Sequence, residues 1–297
     1  MQFFTTSAGA SGEPNVVFMT DVLNPFSPLP KSRLMFNVKN CKAQIEMILD
    51  KIASTFDSSG KYRSPLSTTG SCGGAALRTA IDVLREESGK VLWFVMDIPS
   101  VGFGSLKNRN QSQLYNTEKE RSLLQCDEKC TAYNDLAEIC NNARIAVDVF
   151  ACTQADIDLA SITPVSSPLG GEIYYYSPFN SAEYGEKLHF DVFRDLTRYT
   201  VYDISMKARC SLGLSIQKYM GGFGELMESP VQLATLDADK TIAFTLKQDA
   251  KLKTDTPAFI QFAVLYTTPR GERKIRVFNY ALVVTDQPSN FLIINMS

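Results

Sequence analysis

The order of apolar segments is the feature that most constrains this fold. Through the first two-thirds of the chain, short apolar runs alternate with amphipathic segments in which apolar residues recur every three or four positions. The runs are typical of strands and the amphipathic segments of helices. Their alternation predicts a doubly wound α/β domain with a mainly parallel sheet. The predicted strands are residues 14–21, 91–97, 145–150 and 172–176, and the predicted helices are 41–52, 75–87, 129–142 and 182–197.

The pattern changes from about residue 200 onward. Extended runs then follow one another without a convincing helix, and turn sequences such as Pro269-Arg270-Gly271 separate them. This arrangement predicts an antiparallel β-sandwich. We therefore expect an α/β domain over residues 1–198 and a β-sandwich over residues 199–297. The predicted strands of the second domain are 201–210, 214–219, 241–247, 258–267 and 274–284.

Composition and charge exclude several classes of protein. The 297 residues are 44% hydrophobic and 21% charged, which is ordinary for a globular protein with a sizeable core. A net charge of −2 argues against binding to nucleic acid through the overall charge of the protein. The sequence has neither a signal peptide at its start nor an apolar run of the roughly 18 residues that suggest a transmembrane helix. Seven scattered cysteines, an odd number, predict reduced thiols in a cytoplasmic protein.

Catalytic chemistry has little support in this sequence. The only histidine, His189, lies in an amphipathic segment, where we expect a partly buried structural residue. The chain has no Gly-x-Ser-x-Gly turn and no phosphate-binding loop. We therefore predict no catalytic residue and no enzyme activity.

Metal binding is a weaker possibility at two places. Cys126 and Cys130 could form half of a zinc site, but no second pair follows, so we expect two helical thiols one turn apart. The three acids Asp21, Asp97 and Asp148 lie near predicted strand ends. Together with Thr68 and Thr69, they hint at a von Willebrand A-like domain. The Asp-x-Ser-x-Ser motif of its cation site is absent, so caps and loop hydrogen bonds explain the acids and we predict no metal site.

A collinear series of segments resembles the cargo-selecting adaptor family of the COPII vesicle coat. The series spans nearly the whole chain, and its order is more specific than any single element. The triple tyrosine 174–176 and the stretch 265–268 favour the cargo adaptors over the GTPase-activating sister subunit, which shares the architecture. The segments are 15–21 with Pro28-Leu29-Pro30, 92–106, 147–150, 158–161, 170–176, 206–215 and 262–277.

The resemblance implies a fold, a location and partners. The α/β part would be the family's A-type "trunk" domain, truncated at its start, and the rest its β-sandwich. Implied partners are the GTPase-activating coat subunit and the cytosolic tails of membrane cargo with acidic export signals. The outer coat and a small GTPase would be indirect partners, and contact with the membrane would be peripheral, at endoplasmic-reticulum exit sites and vesicles. We expect no cofactor within this chain, whereas the family carries a structural zinc in a region outside it.

The segment Met206-Lys207-Ala208-Arg209-Cys210 is the candidate binding site. Side chains alternate between the two faces of a strand, so Lys207 and Arg209 share one face. Two cations on one face could hold a peptide with two carboxylates, although from the residues alone a solvated strand face is the simpler interpretation. In the resembling family this strand usually reads basic-x-Arg-Cys and contributes to a pocket for acidic export signals. The resemblance therefore implies that Lys207 and Arg209 bind cargo, with Lys207 standing where the family more often has arginine.

Other interpretations remain open from the sequence. Lys274 and Arg276 form a second basic stripe, which we expect to be a solvated face rather than a lipid-headgroup site. The chain could also be the GTPase-activating sister subunit. A third alternative is a generic metal-dependent A-type adhesion or scaffold domain.

Overall fold

The computed structural model describes residues 1–6, 14–56, 70–109, 112–127, 130–227, 229–254 and 256–286. Thr68 and Thr69 lie outside these ranges. The helices are α1 (Lys42–Phe56), α2 (Gly73–Leu84), α3 (Glu120–Leu123), α4 (Ala132–Ala143), α5 (Leu159–Ile162) and α6 (Ser181–Thr197). The strands are β1 (Gln2–Thr6), β2 (Pro14–Phe18), β3 (Gly89–Val95), β4 (Ile145–Cys152), β5 (Ile173–Tyr176), β6 (Thr200–Cys210), β7 (Leu214–Gly221), β8 (Gly224–Leu226), β9 (Val231–Asp237), β10 (Ala243–Gln248), β11 (Ala258–Thr267) and β12 (Arg273–Leu282).

The first domain is built on a parallel sheet in the order β3-β4-β5. β4 is buried at every position because helices cover both faces of the sheet, and its sequence is accordingly apolar apart from Asp148. Leu77 of α2 and Leu136 of α4 belong to the core on one face. Leu188 and Val192 of α6 pack on the other face. Among the described residues, the doubly wound arrangement is therefore as predicted.

The start of the chain differs from the prediction. The sequence suggested that residues 14–21 form a buried strand like the others. Instead, β2 pairs antiparallel with β1, which the sequence analysis missed, and Phe4 lies opposite Val16. This hairpin is a separate two-stranded sheet, and α1 lies against it. The prediction was wrong because a short apolar run does not reveal whether its partner is parallel or antiparallel.

The second domain is an antiparallel β-sandwich. One sheet has the order β12-β11-β6-β9 and the other the order β10-β7-β8. Their shared core contains Ile204, Met206 and Leu233 from the larger sheet and Tyr219 from the smaller one. In the described ranges no helix is long and apolar enough to cross a membrane.

Strand β9 joins the two domains. Leu233 belongs to the sandwich core, whereas its neighbour Ala234 belongs to the core of the α/β domain. The Thr235 hydroxyl donates a hydrogen bond to the carbonyl oxygen of Gly170 at 3.2 Å. The sequence analysis missed β9 because a strand covered on both faces loses the simple alternation of polar and apolar residues.

Candidate functional site

The basic stripe lies on the outer face of β6. Met206 and Ala208 point into the sandwich core. Lys207 and Arg209, which alternate with them along the strand, are exposed. This orientation is the predicted one, except that Cys210, expected in the core, is only partly buried. The alternation therefore presents both cations to solvent from an interior strand of the sheet.

The neighbours of Arg209 across the sheet are polar and those of Lys207 are apolar. Arg209 lies opposite Gln261 on β11, and Lys207 lies opposite Ala263. The Gln261 side chain donates a hydrogen bond to Asn279 Oδ1 at 2.9 Å. Neither cation forms an ion pair with another described residue. Residues two apart on a strand are separated by about 7 Å, which also separates alternate side chains of an extended peptide.

One backbone donor beside the stripe is already occupied by a side chain. β9 pairs with β6 only as far as Met206, so the following residues of β6 form an edge on that side. The Ala208 amide on this edge donates a hydrogen bond to the Tyr219 hydroxyl at 2.9 Å. That donor is therefore not available to an added strand.

The second basic stripe lies on the opposite face of the same sheet. Arg276 lies opposite Val264, a residue of the sandwich core, whereas Val277 lies opposite Ala263 and shares the face of Lys207. Arg276 lines a cavity of ≈ 350 Å³, and Lys274 is paired with Glu272 at 2.6 Å. The two basic stripes therefore do not merge into one positive surface.

A buried ion cluster fixes β6 to the α/β domain. The Arg198 side chain is only 4% exposed and lies between α6 and β6. Its Nη2 donates hydrogen bonds to Glu172 at 2.9 Å and to Asp195 at 2.7 Å. The same nitrogen is 3.2 Å from Asp237 Oδ2, at the end of β9. Arg198 therefore connects carboxylates of both domains at the base of the candidate strand.

The ion cluster extends to two strands of the parallel sheet, β3 and β4. Lys90 Nζ lies 2.6 Å from Asp148 Oδ2 and 2.8 Å from Asp195 Oδ1. Burial raises the pKa of Asp148 to about 6, with Lys90 opposing the shift and Asp195 adding to it. Asp148 was expected near the end of its strand, but β4 continues to Cys152, so this acid lies mid-strand and serves the ion cluster.

The other singled-out residues have local roles. Asp21 accepts hydrogen bonds from the amides of Leu23 and Asn24, and Asp97 accepts one from Ile98, as caps and loops would predict. His189 is exposed and stacks on Phe193, so the prediction of a partly buried histidine was wrong.

The metal-site candidates are not assembled in the structure. Cys126 and Cys130 precede α4 rather than lying in a helix, because that helix starts later than predicted. Within the described parts of the chain, no group of three potential metal-ligating side chains is present.

The two domains correspond to two domains of one family. Residues 1–196 match the family model described as the Sec23/Sec24 trunk domain, and residues 201–285 match the Sec23/Sec24 beta-sandwich domain. The chain belongs to the Sec23/Sec24 family, which confirms the resemblance and the fold class predicted from the sequence.

Individual relatives are Sec24 proteins. The chain is 34% identical to protein transport protein SEC24 B of Arabidopsis thaliana over 284 residues, which is 94% of this chain and 25% of that protein. It is 32% identical to human protein transport protein Sec24C, over 91% of this chain and 24% of that one. The crystal structure of the human COPII-coat protein Sec24c matches with a TM-score of 0.83 and 30% identity, covering 96% of this chain and 37% of the other. The chain thus spans about a quarter of the length of these curated relatives.

Replacing Arg198 tests the importance of the ion cluster. We expect Arg198→Met to lower the free energy of unfolding by about 3 kcal/mol, because the buried carboxylates lose a cation that Lys90 and Lys240 replace only in part. The matched control, Arg209→Met, removes an exposed arginine and should change stability by about 0.5 kcal/mol or less. Urea denaturation followed by circular dichroism measures both values. Equal stability of the two variants would contradict the structural role of the cluster.

The pH dependence of stability tests Glu172. Burial alone would raise the pKa of Glu172, but hydrogen bonds from Lys240, Tyr174 and Arg198 outweigh it and lower the pKa to about 2. A depressed pKa stabilises the fold above the unfolded-state value and loses that effect as the pH falls towards the folded-state value. We therefore expect wild-type stability to fall more steeply between pH 4.5 and about 2 than that of Glu172→Gln. Parallel slopes in urea denaturation across this range would refute the assignment.

Proposed function

We propose that this chain is the cargo-binding part of a COPII coat adaptor and that Lys207 and Arg209 hold acidic export signals. The observation that carries the proposal is a pair of exposed cations on one strand face, neither of them ion-paired with another described residue. The similarity to Sec24 proteins supports the choice of a coat adaptor. The protein would act by reversible peptide binding, with no chemical step.

The two cations would make different contributions to recognition. Arg209 presents a planar guanidinium that can donate two parallel hydrogen bonds to one carboxylate. Lys207 offers a compact charge with less directional preference. An extended peptide with carboxylates two residues apart would place one near each cation, because the spacing matches that of β6.

The proposed partners follow from membership of the coat. The GTPase-activating coat subunit would bind the trunk domain, and the outer coat and small GTPase would contact the chain indirectly. We place the protein in the cytoplasm, peripherally at endoplasmic-reticulum exit sites and on COPII vesicles. A structural zinc would belong to the part of the family's chain that lies outside these 297 residues.

Peptide binding with charge reversal tests the cargo site. A fluorescent peptide with two acids two residues apart should bind the wild-type chain at low salt and bind less tightly at physiological salt. We expect Lys207→Glu/Arg209→Glu to abolish this binding, because each lost charge-assisted contact costs roughly 1.5–3 kcal/mol. Fluorescence anisotropy gives the dissociation constants.

The second basic stripe provides the matched control. Lys274→Glu/Arg276→Glu changes the net charge by the same amount on the opposite face of the sheet, so it should leave peptide affinity within about twofold. Equal loss in both double variants would indicate non-specific charge attraction. Unchanged binding in the Lys207 and Arg209 variant would show that cargo is bound elsewhere.

A GTP hydrolysis assay separates the adaptor from its sister subunit. The family model covers both subunit types, so stimulation of a coat GTPase is the activity that distinguishes them. We expect the chain to leave the hydrolysis rate of the small GTPase unchanged. Clear stimulation would favour the GTPase-activating subunit instead.

A further inference from the structure

A cleft in the α/β domain forms a second candidate binding site. It has a volume of ≈ 370 Å³ and lies between the loops that follow β3 and β4, beside Tyr175 of β5. Ligands of open α/β sheets bind outside the carboxyl ends of the strands, which is where these loops are. All of its lining residues precede the β-sandwich, so the cleft is separate from the stripe on β6.

Arg109 holds the walls of this cleft together. Its Nε and Nη2 donate hydrogen bonds to the two oxygens of Asp158, both at 2.7 Å. Its guanidinium also donates to the carbonyl oxygens of Gln125 at 2.7 Å and Ser122 at 3.3 Å. Asp158 in turn caps α5 by accepting from the Ser161 amide. One side chain therefore ties the segment around α3 to the start of α5, which makes the cleft preformed.

The lining combines apolar side chains with an excess of carboxylates. Leu124 is 78% exposed and Tyr175 is 49% exposed, although both are large and apolar or aromatic. Three carboxylates and one guanidinium line the cleft. Because Asp158 already matches the charge of Arg109, the lining as a whole is negative. The other carboxylates are those of Glu120 and Asp156.

We propose that this cleft binds a short peptide in which a bulky apolar side chain adjoins a lysine or arginine. The apolar side chain would contact Leu124 and Tyr175, and removing that surface from water would favour binding. The cation would interact with the carboxylates of Glu120 and Asp156. This charge preference is opposite to that of the β6 stripe, and the proposal stands independently of the cargo function.

A set of capped, fluorescent heptapeptides tests the ligand class. All have a Gly/Ser background, and their central pairs are Phe-Lys, Phe-Glu and Ser-Lys. We expect the Phe-Lys peptide to bind the intact chain about tenfold more tightly than the other two, since each of them lacks one of the two contacts. Equal binding of the three peptides, or no saturable binding of Phe-Lys up to millimolar concentration, would overturn the proposal.

Matched variants locate the binding. Glu120→Gln/Asp156→Asn removes both charges and keeps acceptor oxygens, including the one that bonds the Asn116 amide at 2.9 Å. We expect it to weaken Phe-Lys binding about tenfold, and Leu124→Ser to weaken it by a similar factor. The control Glu186→Gln removes an exposed acid on α6, outside the cleft, and should leave affinity unchanged.

A charge-exchange variant distinguishes a change at the cleft from a loss of folding. Glu120→Gln/Asp156→Lys, which makes the lining positive, should bind the Phe-Glu peptide more tightly than the Phe-Lys peptide, a reversal that a misfolded protein would not produce. Thermal melting by circular dichroism checks that each variant is folded. If folded Glu120→Gln/Asp156→Asn and Leu124→Ser both bind Phe-Lys as tightly as the wild type, the cleft is not the site.

Discussion

The buried guanidinium of Arg198 is the contact on which the arrangement of the two domains depends. A charge removed from water is tolerated only where several partners replace the lost hydration. Arg198 has such partners in Glu172 and Asp195 of the first domain and Asp237 of the second. No single domain supplies the full set of carboxylates, because Asp237 comes from the sandwich and the other two from the α/β domain. The ion cluster therefore favours one relative position of the trunk and the sandwich.

The position of the candidate site follows from this junction. β6 begins two residues after Arg198, and its pairing with β9 starts with Thr200 opposite Asp237, a member of the cluster. Between that anchored end and the site, β6 has an irregularity at Asp203, whose φ is 48°, and its pairing with β11 changes register there. From Ile204 onward the side chains alternate between the core and the outer face as far as Arg209. A shift of one residue would bury both cations and expose Met206, so the register that the junction sets also determines which charges reach solvent.

The parts of the fold that the sequence predicted are those with local signals. β4 is a continuous apolar run and α6 has a clear helical period, so both were predicted within a few residues, as was the outward orientation of Lys207 and Arg209. β9 and the ion cluster depend on distant pairing: Lys90 and Asp195 are 105 residues apart. The cleft around Arg109 could not be predicted from the sequence for the same reason, because the partner of Arg109, Asp158, is 49 residues away. Composition and spacing carry no signal for such contacts.

The separation of the two basic stripes limits how tightly a peptide could bind at β6. Since Arg276 lies on the other face of the sheet, the described outer face of β6 offers an acidic segment two cations, Lys207 and Arg209. Two charge-assisted contacts supply roughly 3–6 kcal/mol, from which the ordering of the peptide must still be subtracted. A dissociation constant of about 1 mM already corresponds to 4.1 kcal/mol, so one site alone would bind weakly. In a coat with many copies, simultaneous engagement of several tails would provide the remaining affinity and still allow each contact to dissociate quickly.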